Sequence, residues 1–115
     1  MNKICTSIEQ SQKLIELGID VYTADMFWLT TDKPRLHILV EDLNKYSRWD
    51  CMPAWSLSAL LGILAEQDFI IKSLERNNEY QYNIDIPSRH CKIWFSSLLD
   101  AAFEMVVWLK ENGKL

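Results

Sequence analysis

The sequence has few of the residues that build disulfides, metal sites and glycine-rich ligand loops. Its 115 residues include three cysteines, three glycines and two histidines. Cys5, Cys51 and Cys91 are odd in number and form no CxxC pair, which argues against a disulfide framework and a zinc knuckle. The nucleotide-binding motifs GxGxxG and GxxxxGKS/T and the hydrolase motif GxSxG are also absent. We therefore predict no cofactor and no metal, and no motif assigns a catalytic residue.

Long apolar runs are missing as well. The amino-terminal segment has no apolar stretch of the about 7 to 15 residues that a signal peptide needs. No other stretch approaches the roughly 18 apolar residues of a membrane span. These absences predict a cytoplasmic protein with reduced thiols and no membrane contact. The net charge of −4 provides no attractive field for nucleic acid, which makes such a partner unlikely.

The composition is that of a globular protein with one hydrophobic core. Hydrophobic residues make up 49% of the chain, and the five tryptophans supply large side chains for packing. A chain of this length buries roughly two thirds of the surface that its unfolded form exposes. Because the sequence contains no repeat, low-complexity tract or glycine linker, we predict a single domain over residues 1–115.

The first half of the chain predicts a helix followed by a hairpin. Thr6 and Glu9 have the spacing of a capping box, and Gly18 ends a helical pattern over about 7–17. Strand-forming residues over 26–31 and 36–40 flank a proline-containing turn, which predicts a hairpin. Residues 41–55 lose this periodicity and are expected to form a loop, with a possible helical turn over 41–46.

The second half begins with a predicted helix over about 57–66, capped by Ser56. Its small residues Ser58, Gly62 and Ala65 suggest that another backbone packs closely against it, in a central position. Segments 69–74, 81–86 and 91–95 predict the three strands of an antiparallel meander, with a turn over 75–79 at Asn77-Asn78. In the middle strand, alternation predicts that one set of side chains faces inward (Tyr82, Ile84, Ile86) and the other outward (Gln81, Asn83, Asp85).

A final helix is predicted over about 98–111, between Ser97 as N-cap and Asn112-Gly113. The whole pattern predicts an α+β fold of order α-β-β-α-β-β-β-α. An antiparallel sheet of about five strands would carry helices packed on one face.

The last helix is apolar over more of its circumference than one core requires. Val107 falls among the acidic residues of its polar side, and Phe103 and Trp108 flank them. Another chain, a neighbouring loop or a ligand must cover this excess. Trp49 and Trp55 bracket a segment that either packs on the core or lines a groove for a partner. The candidate partner surface is therefore composed of these five residues: Phe103, Val107, Trp108, Trp49 and Trp55.

Catalytic and ligand-binding alternatives depend on cysteine and histidine. His90 and Cys91 would point to opposite sides of a strand, whereas a pair such as Cys51 with His37 stays possible. Two short basic and aromatic segments, 45–49 and 89–94, are the best matches to a nucleic-acid site. An acidic pair such as Glu41-Asp42 is more simply solvated.

Three blocks of the sequence resemble a known group of proteins. They are TADM at 23–26, PAWSLSALL at 53–61 and DAAFEMVVWL at 100–109. Together they resemble a group of small uncharacterised bacterial proteins found among phage and mobile-element genes, over about Thr6 to the carboxyl terminus. The resemblance implies an accessory or interaction role but no activity, cofactor or active site.

These observations predict a non-enzymatic interaction or accessory module that binds a protein partner or itself. The alternative is a small Cys/His enzyme or ligand-binding domain, and a weak nucleic-acid binder is less favoured.

Overall fold

The computed structural model describes residues 4–29, 35–37, 51–87 and 89–115. Within these ranges the chain has an α+β fold with three α-helices and two antiparallel sheets. The elements in order are α1 (Ile8–Glu16), β1 (Met26–Leu29), β2 (Arg35–His37), β3 (Cys51–Ala54), α2 (Leu57–Leu64), β4 (Ile70–Arg76), β5 (Glu79–Asp85) and α3 (Leu98–Glu111). A short 3-10 turn, Val21–Thr23, precedes β1.

The N-cap of helix α1 lies one residue later than predicted. Ser7, not Thr6, is the N-cap, and it forms a capping box with Gln10. The Thr6 hydroxyl is unavailable because it accepts a hydrogen bond from the Trp55 amide at 3.0 Å inside the core. At the other end, Gly18 has a φ of 85°. Its neighbour Ile19 donates to the Leu14 carbonyl at 3.0 Å, which confirms the predicted glycine stop.

The first sheet has the strand order β2-β1-β3. The predicted hairpin is confirmed by antiparallel pairing of β1 with β2, in which Phe27 lies opposite His37. Strand β3 lies in a segment that we expected to be a loop. It pairs with β1 and places Pro53 opposite Phe27, and an edge position tolerates a proline. Residues 30–34 and 38–50 lie outside the described residues, and with them the predicted proline turn, the ends of both hairpin strands and most of the expected loop.

The second sheet consists of β4 and β5, joined by the predicted turn at Asn77 and Asn78. Residues 91–95 do not form the predicted third strand, and only Phe95 forms a bridge with Tyr82. The backbone of 91–93 instead bonds to side chains of β5, which occupies the groups that a ladder would use. The single sheet of about five strands is therefore wrong, since the described strands divide into two sheets.

The core lies between α3 and its neighbours α2 and β5. In α2, the buried side is formed by Leu60 and Leu64, both fully buried. Ser58, Gly62 and Ala65 are exposed, and a Cβ added to Gly62 would meet no described atom within 4 Å. The prediction that these small residues lie against another backbone is therefore wrong, because they are exposed while the side of α2 that carries Leu60 and Leu64 is buried.

Candidate functional site

The sequence-predicted partner surface is mostly buried within this chain. Helix α3 begins after the Ser97 N-cap as predicted, but Phe103 and Val107 are each only 7% exposed and Trp55 is fully buried. All three belong to the main hydrophobic cluster, which also includes residues from α1, α2 and β5. The chain's own elements thus cover the excess apolar width of α3, which corrects the expectation of a partner there.

The other two residues of that surface have different outcomes. Trp108 is partly buried, and the Arg89 guanidinium lies 5.1 Å from the centre of its ring. This is a cation–π contact within the chain. Trp49 lies outside the described residues. The structure therefore does not bring the five candidates together at one exposed site.

Exposed apolar side chains instead gather on β4, β5 and the segment that follows. Ile70 is 62% exposed, Tyr80 55% and Ile93 59%. Ile71 and Trp94 are also exposed. Of the seven residues of β4, all except Leu74 are exposed. Strand β4 is thus largely exposed, and a two-stranded ribbon has little core of its own to support it.

The strand register defines two faces of this hairpin. Opposite residues share a face. The Asn83 face carries Ile70, Lys72, Leu74 and Arg76 of β4 with Glu79, Gln81, Asn83 and Asp85 of β5. The Tyr82 face carries Ile71, Ser73 and Glu75 with Tyr80, Tyr82 and Ile84. Because Ile84 is only 1% exposed and β5 contacts α3, the Tyr82 face rests on the core near the base of the hairpin.

The turn determines which backbone groups point outward from β4. Asn77 and Asn78 have φ of 54° and 64°, the type I′ geometry of a two-residue hairpin loop. In such a hairpin the flanking pair, Arg76 with Glu79, is hydrogen-bonded, and bonded pairs recur at every second position. The amides and carbonyls of Ile71, Ser73 and Glu75 consequently point away from β5.

The opposite edge of the hairpin agrees with this geometry. Tyr82 lies opposite Ser73, so its backbone groups point away from β4. They bond there to Phe95, with N···O distances of 2.7 and 2.8 Å. The outer edge of β5 is thus partly covered, whereas β4 pairs with no other strand within the described residues.

Two buried polar side chains of β5 hold the following segment over the Asn83 face. The Asn83 side-chain amide donates to the carbonyls of Cys91 and Ile93 at 2.6 and 2.8 Å. Asp85 accepts from the Cys91 amide at 2.9 Å. Asn83 and Asp85 are 1% and 4% exposed, so the prediction that they face outward is wrong. The expected two-residue alternation fails because the returning chain covers the second face.

Asp85 also faces two basic side chains. Lys72 Nζ lies 2.5 Å from Asp85 Oδ2, and His90 Nδ1 lies 3.6 Å from the same oxygen. The hydrogen bond from Lys72 is the main reason that the pKa of Asp85 lies below its ordinary value. The amide of Cys91 acts in the same direction, and together these bonds outweigh the effect of burial. Asp85 therefore stays ionised as the anchor of this corner.

A shallow cleft of about 370 Å³ opens at the base of β4. Its lining combines apolar side chains with the Asp85 cluster, and comprises Asp68, Phe69, Ile70, Lys72, Asp85, Ile86, Pro87 and His90. The neighbouring thiol of Cys91 contacts the Ile93 carbonyl at 3.6 Å. Among the described residues, no hydrogen bond joins this thiol to His90, although a cysteine nucleophile would require such a pair.

A second polar cluster links α1, β1 and α2 inside the molecule. Asp25 accepts hydrogen bonds from the amide and the hydroxyl of Ser56, while Ser56 caps α2 through the Ala59 amide. Burial, with a smaller contribution from the charge of Asp25, raises the pKa of the Cys5 thiol to about 11. This thiol is protonated at neutral pH and is unsuited to nucleophilic attack. The cluster therefore braces the fold.

Metal, membrane and homology comparisons are negative. Among residues 4–29, 35–37, 51–87 and 89–115, no three His, Cys, Asp or Glu side chains come close enough to hold a metal ion. None of the described helices has the length and hydropathy needed to cross a bilayer. No family model matches the chain. Searches of curated proteins and of solved structures likewise find no match.

Sequence reasoning missed β4 as a candidate surface. The signal was present, because Ile70 and Ile71 are adjacent apolar residues followed by the polar sequence Lys72-Ser73. Such a strand has no two-residue alternation and therefore no single buried face.

Proposed function

We propose that this chain is a cytoplasmic protein-interaction module that receives an extended strand of a partner protein along the outer edge of β4. The observation that carries the proposal is the edge itself. Ile71, Ser73 and Glu75 direct their backbone groups outward from an exposed strand of seven residues. Within the described ranges no other strand pairs with that edge.

Strand addition would supply what this hairpin lacks. A third strand converts a marginal two-stranded ribbon into a sheet and uses the outward amides and carbonyls. Each new backbone hydrogen bond contributes roughly 0.5–1.5 kcal/mol net. The exposed side chains of Ile70 and Ile71 offer apolar surface beside those bonds. The backbone would thus provide affinity, and the flanking side chains would provide selectivity.

The usual protection of an edge strand is weakened here. Proteins often block such edges with lysine, whose charge opposes pairing with another strand. Lys72 is the lysine of β4, but its ammonium group reaches across the hairpin to Asp85 on β5. Its side chain is therefore held over the Asn83 face beside Asp85, where its charge opposes only those strands that bring a further cation to that position. This arrangement favours a receptive edge.

The decisive variant is Ser73→Pro. Proline removes the outward N–H of Ser73 and leaves the N–H groups of Lys72 and Leu74, which bond to β5, in place. Ser73→Ala keeps the N–H and is the matched control. A partner is captured from the source cells, identified and purified, and its affinity for the three proteins is measured by calorimetry. We expect Ser73→Pro to weaken binding about tenfold or more, and Ser73→Ala to bind as the wild type does.

Hydrogen exchange then locates the contact. The partner should slow amide exchange at Ile71, Ser73 and Glu75, since those groups enter new hydrogen bonds. Equal affinity of Ser73→Pro and wild type, or protection confined to other elements, would contradict the proposal. Circular dichroism and a denaturation midpoint for each variant show whether the hairpin still folds.

The cellular setting is a separate part of the proposal. We place the module among the accessory proteins of a phage or mobile element, supported by the resemblance of its three sequence blocks. The genes that flank it test this placement: structural or conjugation genes would support it, and a conserved metabolic operon would contradict it.

A further inference from the structure

The side chains beside the free edge of β4 have an ordered charge pattern. On the Asn83 face, apolar and cationic residues alternate as Ile70, Lys72, Leu74 and Arg76. On the Tyr82 face the edge presents Ile71, Ser73 and the acidic Glu75. A strand added to this edge would place its own side chains directly opposite these residues, at Cβ separations of about 5 Å. The pattern therefore selects among possible strands.

A second copy of β4 fits this pattern poorly. Two copies that pair antiparallel about a two-fold axis must place odd-numbered residues opposite odd-numbered ones, since only those direct their backbone groups outward. When Ser73 of one copy lies opposite Ser73 of the other, Lys72 lies diagonal to Lys72 and to Arg76 of the second copy. Shifting the centre by one residue places Lys72 directly opposite Lys72 or Arg76. Every register that overlaps five or more residues thus brings cations together.

We infer that the strand received by β4 belongs to a different protein and carries carboxylates opposite Lys72 and Arg76, with apolar side chains opposite Ile70 and Leu74. This inference rests on the proposed function and names its partner class. The Lys72 ammonium is half exposed and donates one hydrogen bond to Asp85, which leaves further donors for an incoming carboxylate. The Arg76 side chain is exposed near the tip.

The cleft at the base of β4 strengthens the apolar part of the pattern. Ile70 lies at its edge, together with Phe69, Ile86 and Pro87. The side chain opposite Ile70 on the added strand would lie over this cleft, since that side chain and the cleft are on the Asn83 face. An aliphatic residue there would bury apolar surface on both partners.

Two synthetic peptides test the inference. In antiparallel alignment from Arg76 to Ile70, the acidic peptide Glu-Lys-Leu-Thr-Glu-Val-Ile places Glu opposite Arg76 and Lys72, and Lys opposite Glu75. The control peptide, Lys-Glu-Leu-Thr-Lys-Val-Ile, reverses these three charges. Because the protein carries a net charge of −4, non-specific attraction would favour the control peptide. A preference for the acidic peptide therefore reports the local pattern.

Binding is measured by fluorescence anisotropy with wild type, Arg76→Glu and Ser73→Pro. We expect wild type to bind the acidic peptide about three- to tenfold more tightly than the control, as three cross-strand ion pairs allow. Arg76→Glu should reduce or reverse this preference for the acidic peptide. Added salt should also reduce the preference, because it screens the ion pairs. Ser73→Pro should bind neither peptide.

Equal binding of both peptides, abolished in Ser73→Pro, would overturn the acidic pattern and leave strand addition standing. Binding of neither peptide to wild type would also overturn this inference, whereas the proposed function would still be decided by the purified partner. Concentration-dependent dimerisation of wild type that Ser73→Pro abolishes would overturn the choice of a different protein as the occupant.

Discussion

Helix α3 and the β4–β5 hairpin contain similar apolar residues, but the helix buries them and the hairpin exposes them. In α3, Val107 falls among acidic residues on the helical wheel and is nevertheless only 7% exposed. In β4, Ile70 begins a strand and is 62% exposed. The difference lies in what surrounds each element, since α3 contacts α2 and β5, whereas β4 pairs only with β5 among the described strands. Apolar sequence alone therefore does not locate a binding surface.

The strongest way to test this comparison is a charge at Val107. Val107→Glu places a carboxylate in the core and should cost about 3–5 kcal/mol in the free energy of unfolding, or prevent folding. Urea denaturation measures the loss. Val107→Ala, which adds no charge, is the control and should cost about 0.5–3 kcal/mol. An unchanged midpoint for Val107→Glu would mean that this side of α3 faces solvent.

The second test removes the anchor between the hairpin and the segment after it. Asp85→Ala leaves the Cys91 amide without its acceptor and should cost about 1–3 kcal/mol. Asp85→Asn can still accept that bond and is the matched control, with a smaller loss expected. Denaturation midpoints compare the two variants. Equal losses would show that the charge of Asp85, and not its bond to Cys91, holds the segment.

Acid should weaken the same anchor. The pKa of Asp85 is lower in the folded protein than its ordinary value of 3.8. Its contribution to stability is therefore complete above about pH 3.8 and is lost as the pH falls through the lower, folded-state pKa. Denaturation midpoints measured across that acidic range should decline more steeply for wild type than for Asp85→Asn. Parallel pH profiles would contradict an ionised anchor.

The smallest effect is expected on the exposed strand. Ile70→Ala should change the free energy of unfolding by about 0.5 kcal/mol or less, because the side chain is mostly solvated. Its effect on partner affinity should be larger than its effect on stability. Calorimetric binding together with urea denaturation separates the two. A large stability loss would place Ile70 in a packed environment and weaken the contrast with α3.

The ends of helices were the most predictable features because capping uses neighbouring residues. Ser56 and Ser97 cap α2 and α3 as predicted, and Gly18 ends α1. Thr6 was the exception, since its hydroxyl bonds across the fold to Trp55, 49 residues away in sequence. A distant partner can thus override a local capping pattern.

The candidate site was much less predictable than these ends. Nothing local to Asn83 or Asp85 indicates that residues 91–93 return over them. The free edge of β4 was equally hidden, because it depends on the strands of the first sheet pairing with one another and not with β4. Both features are long-range outcomes of chain packing.

By itself the sequence determined the α+β class, the three helices, the first hairpin and the turn at Asn77 and Asn78. These features follow from side-chain periodicity, capping and backbone preference within a few residues. Only the tertiary structure decided that the strands divide into two sheets, that the apolar sides of α3 are covered from within, and that β4 keeps an open edge. The physical reason is that burial and strand pairing depend on which distant segments share the available surface.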